Sequence, residues 1–546
     1  MTENNKLTEE EALCAEVFKQ FERLREMRKP LERQWELNIN FTKGNQYCTL
    51  VSGEIATAKK TYDWEQRRVF NHIAPIIDTR LSKLSRIRPA FAVRAASDGE
   101  DDRKAASLSS AILSAAQEEC DLDSVMSEAT MWSEICGTAF YKVVWNPHGG
   151  RTVGQTSEGE PIKEGEARVC AVPPFAVFPA SLAEESLEKQ TYIIHAQLLP
   201  VGQIADIYGV ETVGKDITEF RQPCVSYGNL PKASDGDNYE LVLERYIRPT
   251  KALPDGRLTV VAGGALLFDG SLPYFNGMSN GRGYPFVKQT SLPSAGSFFG
   301  ASVVDRLIPL QRAYNAVKNR KHEYLNRISM GVVAVEDGSV DVEELTDGGL
   351  APGKVITYRQ GGKPPEMLTL GNVPEEFWKE EECLLTEFTK ISGTGDLSEN
   401  ADSFAGVTSA TGLQLIIEQD DARLDTAYQS LKRAAKNIGR QILRLYRQFA
   451  TDVRLARYTG NGKSEVLFFK GSDITGEDVI LEADTELNLS PAQRRTVIYE
   501  LMDRGLFSDA DGQTGAEAKR KILNILGYAS LADAITEERK GEENDN

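Results

Sequence analysis

From residue 413 to residue 449 the sequence keeps one helical period without a break. Leu424, Ala427, Leu431, Ala434, Ile438, Ile442, Leu445 and Phe449 recur in steps of three or four and so line one face. Arg423, Lys432, Arg433, Lys436, Arg440, Arg444 and Arg447 fall mostly elsewhere. At ~1.5 Å rise per residue such a helix is on the order of 55 Å long. Few monomeric domains need a strut of that length, whereas rings built around a channel do. A Gly/Ser/Thr-rich loop launches it, and two shorter helices with a β insert between them precede that loop.

A chain of 546 residues is too long for one core and is expected to divide into roughly three or four regions. The net charge of -18 argues against a freestanding reader of DNA or RNA, which gathers phosphates with a basic face. It does not argue against a protein that lets DNA slide past, because like-charge repulsion then prevents gripping. The seven cysteines are scattered, odd in number and free of any CxxC pair, which reads as reduced thiols with no disulfide framework and no zinc site. His72, His148, His195 and His322 lie far apart with no metal-binding spacing. The polar, acidic start is no signal peptide, and no apolar run approaches the ~20 residues of a membrane span. The chain is expected to be soluble and cytoplasmic when made.

The first 136 residues read as mainly helical. Thr8 and Glu11 form a capping box, Pro30 is expected to interrupt the first helix, and Gly44 and Gly137 are stops. Residues 138–145, 169–177 and 191–198 read as strands. Residues 239–248, 258–262 and 265–268 read as an antiparallel meander with a turn at Pro254-Asp-Gly256. Helix returns over 301–327, with a kink or restart expected near Leu307 because of Pro309. Residues 331–335 and 354–358 then read as two strands, 374–391 as a helix, and 453–458, 465–469 and 478–483 as strands.

Sequences that resemble chemistry lose their force in context. Gly462-Lys463-Ser464 is like the end of a phosphate-binding loop, but Arg457 stands where glycine is required and the stretch reads as a hairpin turn. Gly393-Thr-Gly395 follows a helix and lacks the third glycine of a dinucleotide fingerprint. Asp420-Asp421 and Glu380-Glu381-Glu382 are adjacent carboxylates that diverge on a helix, as on a solvated face. No nucleophile, base or metal constellation emerges, and no cofactor is expected. The basic residues Lys318, Arg320, Lys321 and Lys390 become candidate phosphate contacts if the two middle helices line a channel; otherwise they are solvated charges or inter-subunit ion pairs.

With these residues in view the chain resembles portal proteins, the head-to-tail connectors of tailed bacteriophages. Trp35, Asn38, Phe41, Gly44 and Gln46 resemble the family's helix with a Gly-x-Gln close. Gly137-Thr-Ala-Phe140 through Lys142-Val-Val-Trp145-Asn-Pro147 resembles its strand and turn, and Phe299-Gly300-x-Ser302 with Gln311 and Asn315 resembles the start of its stem. Ser409-Ala-Thr-Gly412 with Glu418-Gln419, and Leu489-Ser-Pro491 to Arg504-Gly-Leu506, resemble the starts of the long helix and of the crown. Phe178-Pro179 departs from the aspartate-proline that relatives often carry.

The resemblance implies an α+β, multidomain portal-type fold: helical stem, β-rich wing, small α/β clip, and a long kinked or straight helix leading to a helical crown. On this chain it maps the wing to 1–136 and 137–300, with a β return at 450–489. The stem helices are 301–327 and 374–391 around a clip at 328–373. A tunnel loop at 392–412 includes Thr394, Gly395, Asp396, Asn400, Ser403, Gly406 and Thr408. The long helix is 413–449 and the crown with its tail 490–546. The implied partners are other copies of the chain, about twelve in a ring, duplex DNA in the channel, the major capsid protein, the terminase large subunit, and a head-tail adaptor or tail protein, with no membrane. The implied place is one vertex of the virion capsid after assembly in the host cytoplasm. The role is structural: a conduit for packaging and ejecting the genome. Two other classes compete: a phage DNA-processing enzyme with a divergent metal site among helix carboxylates, and a ring-shaped tail adaptor, which ought to be smaller and lack the long helix.

Overall fold

The computed structural model describes residues 2–51, 54–57, 60, 65–85, 91–95, 97–155, 161–212, 239–277, 281–330, 332–341, 343, 355–368, 374–393, 423–451, 453–460, 463–481, 498–499 and 522. Over these the chain is a mixed α+β protein. Its helices, in chain order, are α1 (Thr2–Thr42), α2 (Ile73–Leu84), α3 (Glu100–Glu119), α4 (Leu122–Cys136), α5 (Val201–Tyr208), α6 (Val303–Met330), α7 (Glu376–Ser392) and α8 (Asp425–Phe449). Two compact units divide it. Unit 1 joins Met1–Lys29, Leu81–Ser302 and Asp425–Asn546; unit 2 joins Pro30–Arg80 and Val303–Leu424.

Unit 1 is built on antiparallel sheets. Five strands lie in the order Ala265–Gly270, Arg257–Ala262, Tyr239–Ile247, Tyr192–Pro200 and Val177–Pro179, the expected meander with Gly256 in the left-handed conformation at its turn. A second sheet sets Thr138–Asn146 between Phe286–Thr290 and Glu166–Val172. The strand expected over 169–177 is cut in two, because Pro173 and Pro174 cannot donate to a ladder and a short 3-10 turn at Pro174–Ala176 replaces it.

Against the second sheet lies α8. Leu431, Ile438, Ile442 and Leu443 are buried with Ile112 and Leu113 of α3 and with Tyr141 and Val143. Mid-helix Gly439 has a structural cause: a Cβ there would lie 3.1 Å from Val479 Cγ1 and 3.3 Å from the Phe91 ring, on a strand pair that crosses the helix. Over its described residues this helix is therefore a core element of one chain, and packing within unit 1 accounts for its length. The expected first part of that helix and the loop residues 394–412 lie outside the described residues, as does the 490–546 segment apart from 498, 499 and 522.

Three further expectations change. Pro30 does not interrupt α1, which runs through it. Burial holds both flanks: Val17, Phe21 and Leu24 pack with Phe178 and Leu243 in unit 1, while Trp35, Ile39 and Phe41 are buried in unit 2. At ~1.5–3 kcal/mol per large apolar side chain, this burial outweighs the ~3 kcal/mol penalty of an internal proline. Likewise α6 runs through Pro309 as one helix, so of the kink or restart expected near Leu307 the restart is absent. Finally, of the strand expected over 354–358 the described residues 355–358 form none, and Val332–Ala334 pairs instead with Glu366–Leu368. The apolar residues that suggested a strand there, Val355 and Tyr358, are exposed, and a turn at Arg359–Gly362 brings the later segment alongside.

Unit 2 centres on α6 and α7, an antiparallel pair. Tyr314 meets Phe388 at 6.1 Å between ring centroids and Tyr324 meets Phe377 at 6.4 Å. Gly393 ends α7 in the left-handed conformation.

Candidate nucleic-acid interface

The four basic residues singled out from the sequence fall into two pairs. Lys318 and Lys321 turn into the α6–α7 seam, where both ammonium groups hydrogen-bond to Glu381, Lys321 at 2.7 Å. Lys321 is buried, with its Nζ 3.0 Å from the centroid of the half-exposed Trp378 ring. Burial alone raises the pKa of the Glu381 carboxyl, but the hydrogen bonds from the two lysines outweigh it and hold the group below the usual glutamate range. Arg320 and Lys390 are exposed and make no ion pair among the described residues. Arg320 lies two residues from Lys318, about 200° around the helix, so it faces away from the seam. The loop candidates Thr394, Gly395, Asp396, Asn400, Ser403, Gly406 and Thr408 lie outside the described residues.

The same seam separates the acidic triplet. Glu381 points at the lysines, whereas Glu380 and Glu382 are exposed. Among the described residues no group of three or more His, Cys, Asp or Glu side chains is placed to hold a metal ion, and no helix is long and apolar enough to cross a membrane.

Along another face of α6 runs an amide ladder. Gln311, Asn315, Asn319 and Glu323, each four residues apart, accept the backbone N–H groups of His72, Phe70, Arg68 and Gln66 at 2.9, 3.0, 3.0 and 2.9 Å. Gln311 and Asn319 also donate to the carbonyls of Phe70 and Arg68, each at 2.8 Å. Four helical residues rise ~6.0 Å and two extended residues ~6.6 Å, so the periods match and the helix serves as a strand partner for residues 66–72. Asn315 donates to Gln46 Oε1 at 2.6 Å, and Gln46 in turn donates to Phe41 O and Asn71 Oδ1. Asn38 Nδ2 donates to Asp305 at 2.7 Å. Separate patches of the sequence resemblance, Asn38 to Gln46 and Gln311 with Asn315, are thus one hydrogen-bonded node. Asn319 and Glu323 belong to it too; their four-residue spacing after Asn315 was the overlooked signal.

Two more of those patches meet in unit 1. Gly137, at φ +86, abuts Gly300, where a Cβ would stand 2.3 Å from the Gly300 oxygen. Gly300 N–H donates to Thr138 Oγ1 at 2.8 Å, and Ser302 Oγ donates to the carbonyl of Glu134 at 2.6 Å. Elsewhere in this unit Arg28, buried, donates to the carbonyls of Pro174, Phe175 and Val177 and stacks 3.6 Å over the Phe178 ring, which fixes the turn that replaced the expected strand. Between the two sheets Glu244 accepts from Lys142 at 2.6 Å and Tyr246 at 3.0 Å and lies 2.9 Å from His195 Nδ1. Burial raises its pKa, yet Lys142 and His195 more than reverse this and hold the carboxyl well below the usual range. Burial, aided by Lys142, lowers that of His195.

The basic face of α8 is largely engaged within unit 1. Arg444 and Arg447 bind Glu477 at 3.0 and 2.7 Å, and Arg440 approaches Asp478 at 3.9 Å. Alongside lies a cleft of about 820 Å³ whose lining includes Arg248, Arg433, Asn437, Arg440 and Gln441.

Residues 260–466 match a family model described as Phage SU10 portal protein. The matched stretch begins within the five-stranded sheet, contains α6, α7 and α8, and ends in the hairpin of Arg454–Gly460 with Lys463–Phe469. Lys463 and Ser464 lie in that pair of strands, opposite Gly460 and Thr459, while Gly462 lies outside the described residues. No curated protein matches the chain.

Proposed function

We propose, from the premise that the match over residues 260–466 supports a tailed-phage portal family, that this chain is one subunit of a portal ring. About twelve copies surround a channel at one capsid vertex, through which duplex DNA is packaged and later ejected. The ring docks the terminase large subunit and head-tail adaptors, meets the major capsid protein, and catalyses no reaction itself. The observation that carries this reading is the family match across the α6–α7 pair and α8.

The charge distribution supports it. A net charge of -18 repels the duplex that the ring conducts. Lys318 and Lys321, neutralised in part by Glu381, leave Arg320 and Lys390 as the exposed cations of the four. In this reading 301–327 and 374–391, which hold most of α6 and α7, are the stem, 328–373 the clip, 392–412 the loop around DNA and 490–546 the crown.

Native mass spectrometry of the purified chain tests the assembly: a discrete species of about twelve 60.3 kDa chains is expected, and monomers or dimers at every concentration and salt would contradict it. Deleting residues 395–406 is expected to leave that species intact while packaged DNA is lost. Disappearance of the ring on this deletion would overturn the loop's role.

A further inference from the structure

We infer that the cleft beside α8 in unit 1 is a docking groove for an extended, carboxylate-bearing segment of a second copy of this chain. Asn437 and Gln441 read its backbone and Arg433 takes an acidic side chain. The inference rests on the ring reading above for the presence of neighbouring copies.

The polar groups along this face of α8 are used at both ends and idle in the middle. Ser430 Oγ accepts the N–H of Thr290 at 2.9 Å. Gln448 accepts the N–H of Phe275 at 3.0 Å and donates to Pro273 O at 2.9 Å. Between them Gln441 Oε1 is buried with no hydrogen-bond partner among the described residues, a state that costs about 1–3 kcal/mol for a polar atom unless a donor arrives. Arg433 is exposed and makes no ion pair among the described residues. Arg433, Asn437 and Gln441 all line the cleft.

The protein itself shows what such a face holds. Carboxamides four residues apart on α6 bind alternate backbone groups of the extended segment 66–72; Asn437 and Gln441 repeat that spacing. The lined stretch from Thr426 to Arg444 is ~27 Å long, room for about eight extended residues. Its walls carry six cationic side chains to two carboxylates, Glu185 and Glu188. Arg282, Arg440 and Arg444 are already paired with Asp255, Asp478 and Glu477, while Lys288 donates to the carbonyls of Glu185 and Phe298 and Arg248 to that of Lys189, which leaves Arg433, on α8 beside Asn437 and Gln441, to select an acidic occupant. Each further copy, at net charge -18, brings acidic surface to it.

The test uses the full chain with a photoreactive residue at position 437 and, separately, Arg433→Cys joined to a short amine-reactive crosslinker, prepared as mixtures of isotopically light and heavy chains. Light-heavy crosslinked peptides from either variant are expected and would establish a second copy as occupant. Crosslinks within one chain only, or none, in preparations whose particles are rings by microscopy would overturn the docking groove and leave the portal reading standing. Light-heavy crosslinks without rings would keep the groove and contradict the portal reading. Arg433→Glu is expected to raise the concentration needed for assembly about tenfold or more, with the melting temperature of the unassembled chain unchanged; assembly at the wild-type concentration would also overturn it.

Discussion

The side-chain oxygen of Asn315 accepts the backbone N–H of Phe70 at 3.0 Å, while its amide donates to Gln46 Oε1 at 2.6 Å. One buried carboxamide on α6 therefore fixes both an extended segment and the end of the Gly44-x-Gln46 close, all within unit 2.

Asn315→Leu strands both partners. A buried group left unpaired costs about 1–3 kcal/mol, so chemical denaturation should show a loss of at least ~2 kcal/mol. Asn315→Asp keeps the acceptor for Phe70 but loses the donor to Gln46, and should fall between. A leucine variant as stable as the parent would contradict the ladder.

Gly300→Ala drives a Cβ to 2.2 Å from Thr290 Cγ2 and 2.6 Å from the Leu292 carbonyl. Overpacking of this kind costs about 1–3 kcal/mol, and the backbone oxygen cannot swing away as a side chain can. The upper end of that range is expected in denaturant melts, with Gly154→Ala, where a Cβ meets nothing within 4 Å and φ is not positive, as a control for the substitution itself.

Leu431→Asp and Ile438→Asp each bury an unpaired carboxylate in the core of unit 1, at roughly 3–5 kcal/mol. Circular dichroism and solubility should report loss of folding. A soluble, assembled double variant would refute the packing of α8.

Acid should weaken unit 1 in two steps. His195 and Glu244 both have folded pKa values below their unfolded ones, so each contributes stability above its unfolded pKa and loses it as pH falls. The His195 step begins below about pH 6.5 and the Glu244 step below about pH 4.5. His195→Gln should flatten melting temperature between pH 5 and 7 and leave the more acidic decline; an unchanged profile would contradict the assignment.

Arg320→Ala and Lys390→Ala should change stability by no more than about 0.5 kcal/mol, as expected for exposed charges, and alter the salt dependence of DNA retention in filled heads. Lys321→Ala should destabilise the chain, since it removes a buried partner of Glu381 and the contact with Trp378. Equal stability effects at the three positions would erase the distinction between seam and outer face.

What sequence reasoning could see was local. The α8 period, the Gly137 stop and the Pro254-Asp-Gly256 turn are written in neighbouring residues, and the structure has them. Pro30 misled because the forces that carry α1 through it come from residues far along the chain, such as Phe178 and Leu243. Val355 and Tyr358 misled because alternation does not reveal whether a face is covered. At the candidate interface, charge alone could not tell Lys321 from Arg320: the carboxylate that separates them lies sixty residues on, across a helix pair. Gln311 and Asn315 were visible as a resemblance, but their partners, the N–H groups of residues 66–72, carry no signature in sequence.

Electron microscopy of the purified full chain, with rotational classification of end-on views, tests the central claim most directly. Rings with an open central channel and about twelvefold symmetry are the predicted result. Compact monomers or dimers across salt and concentration would contradict the portal reading.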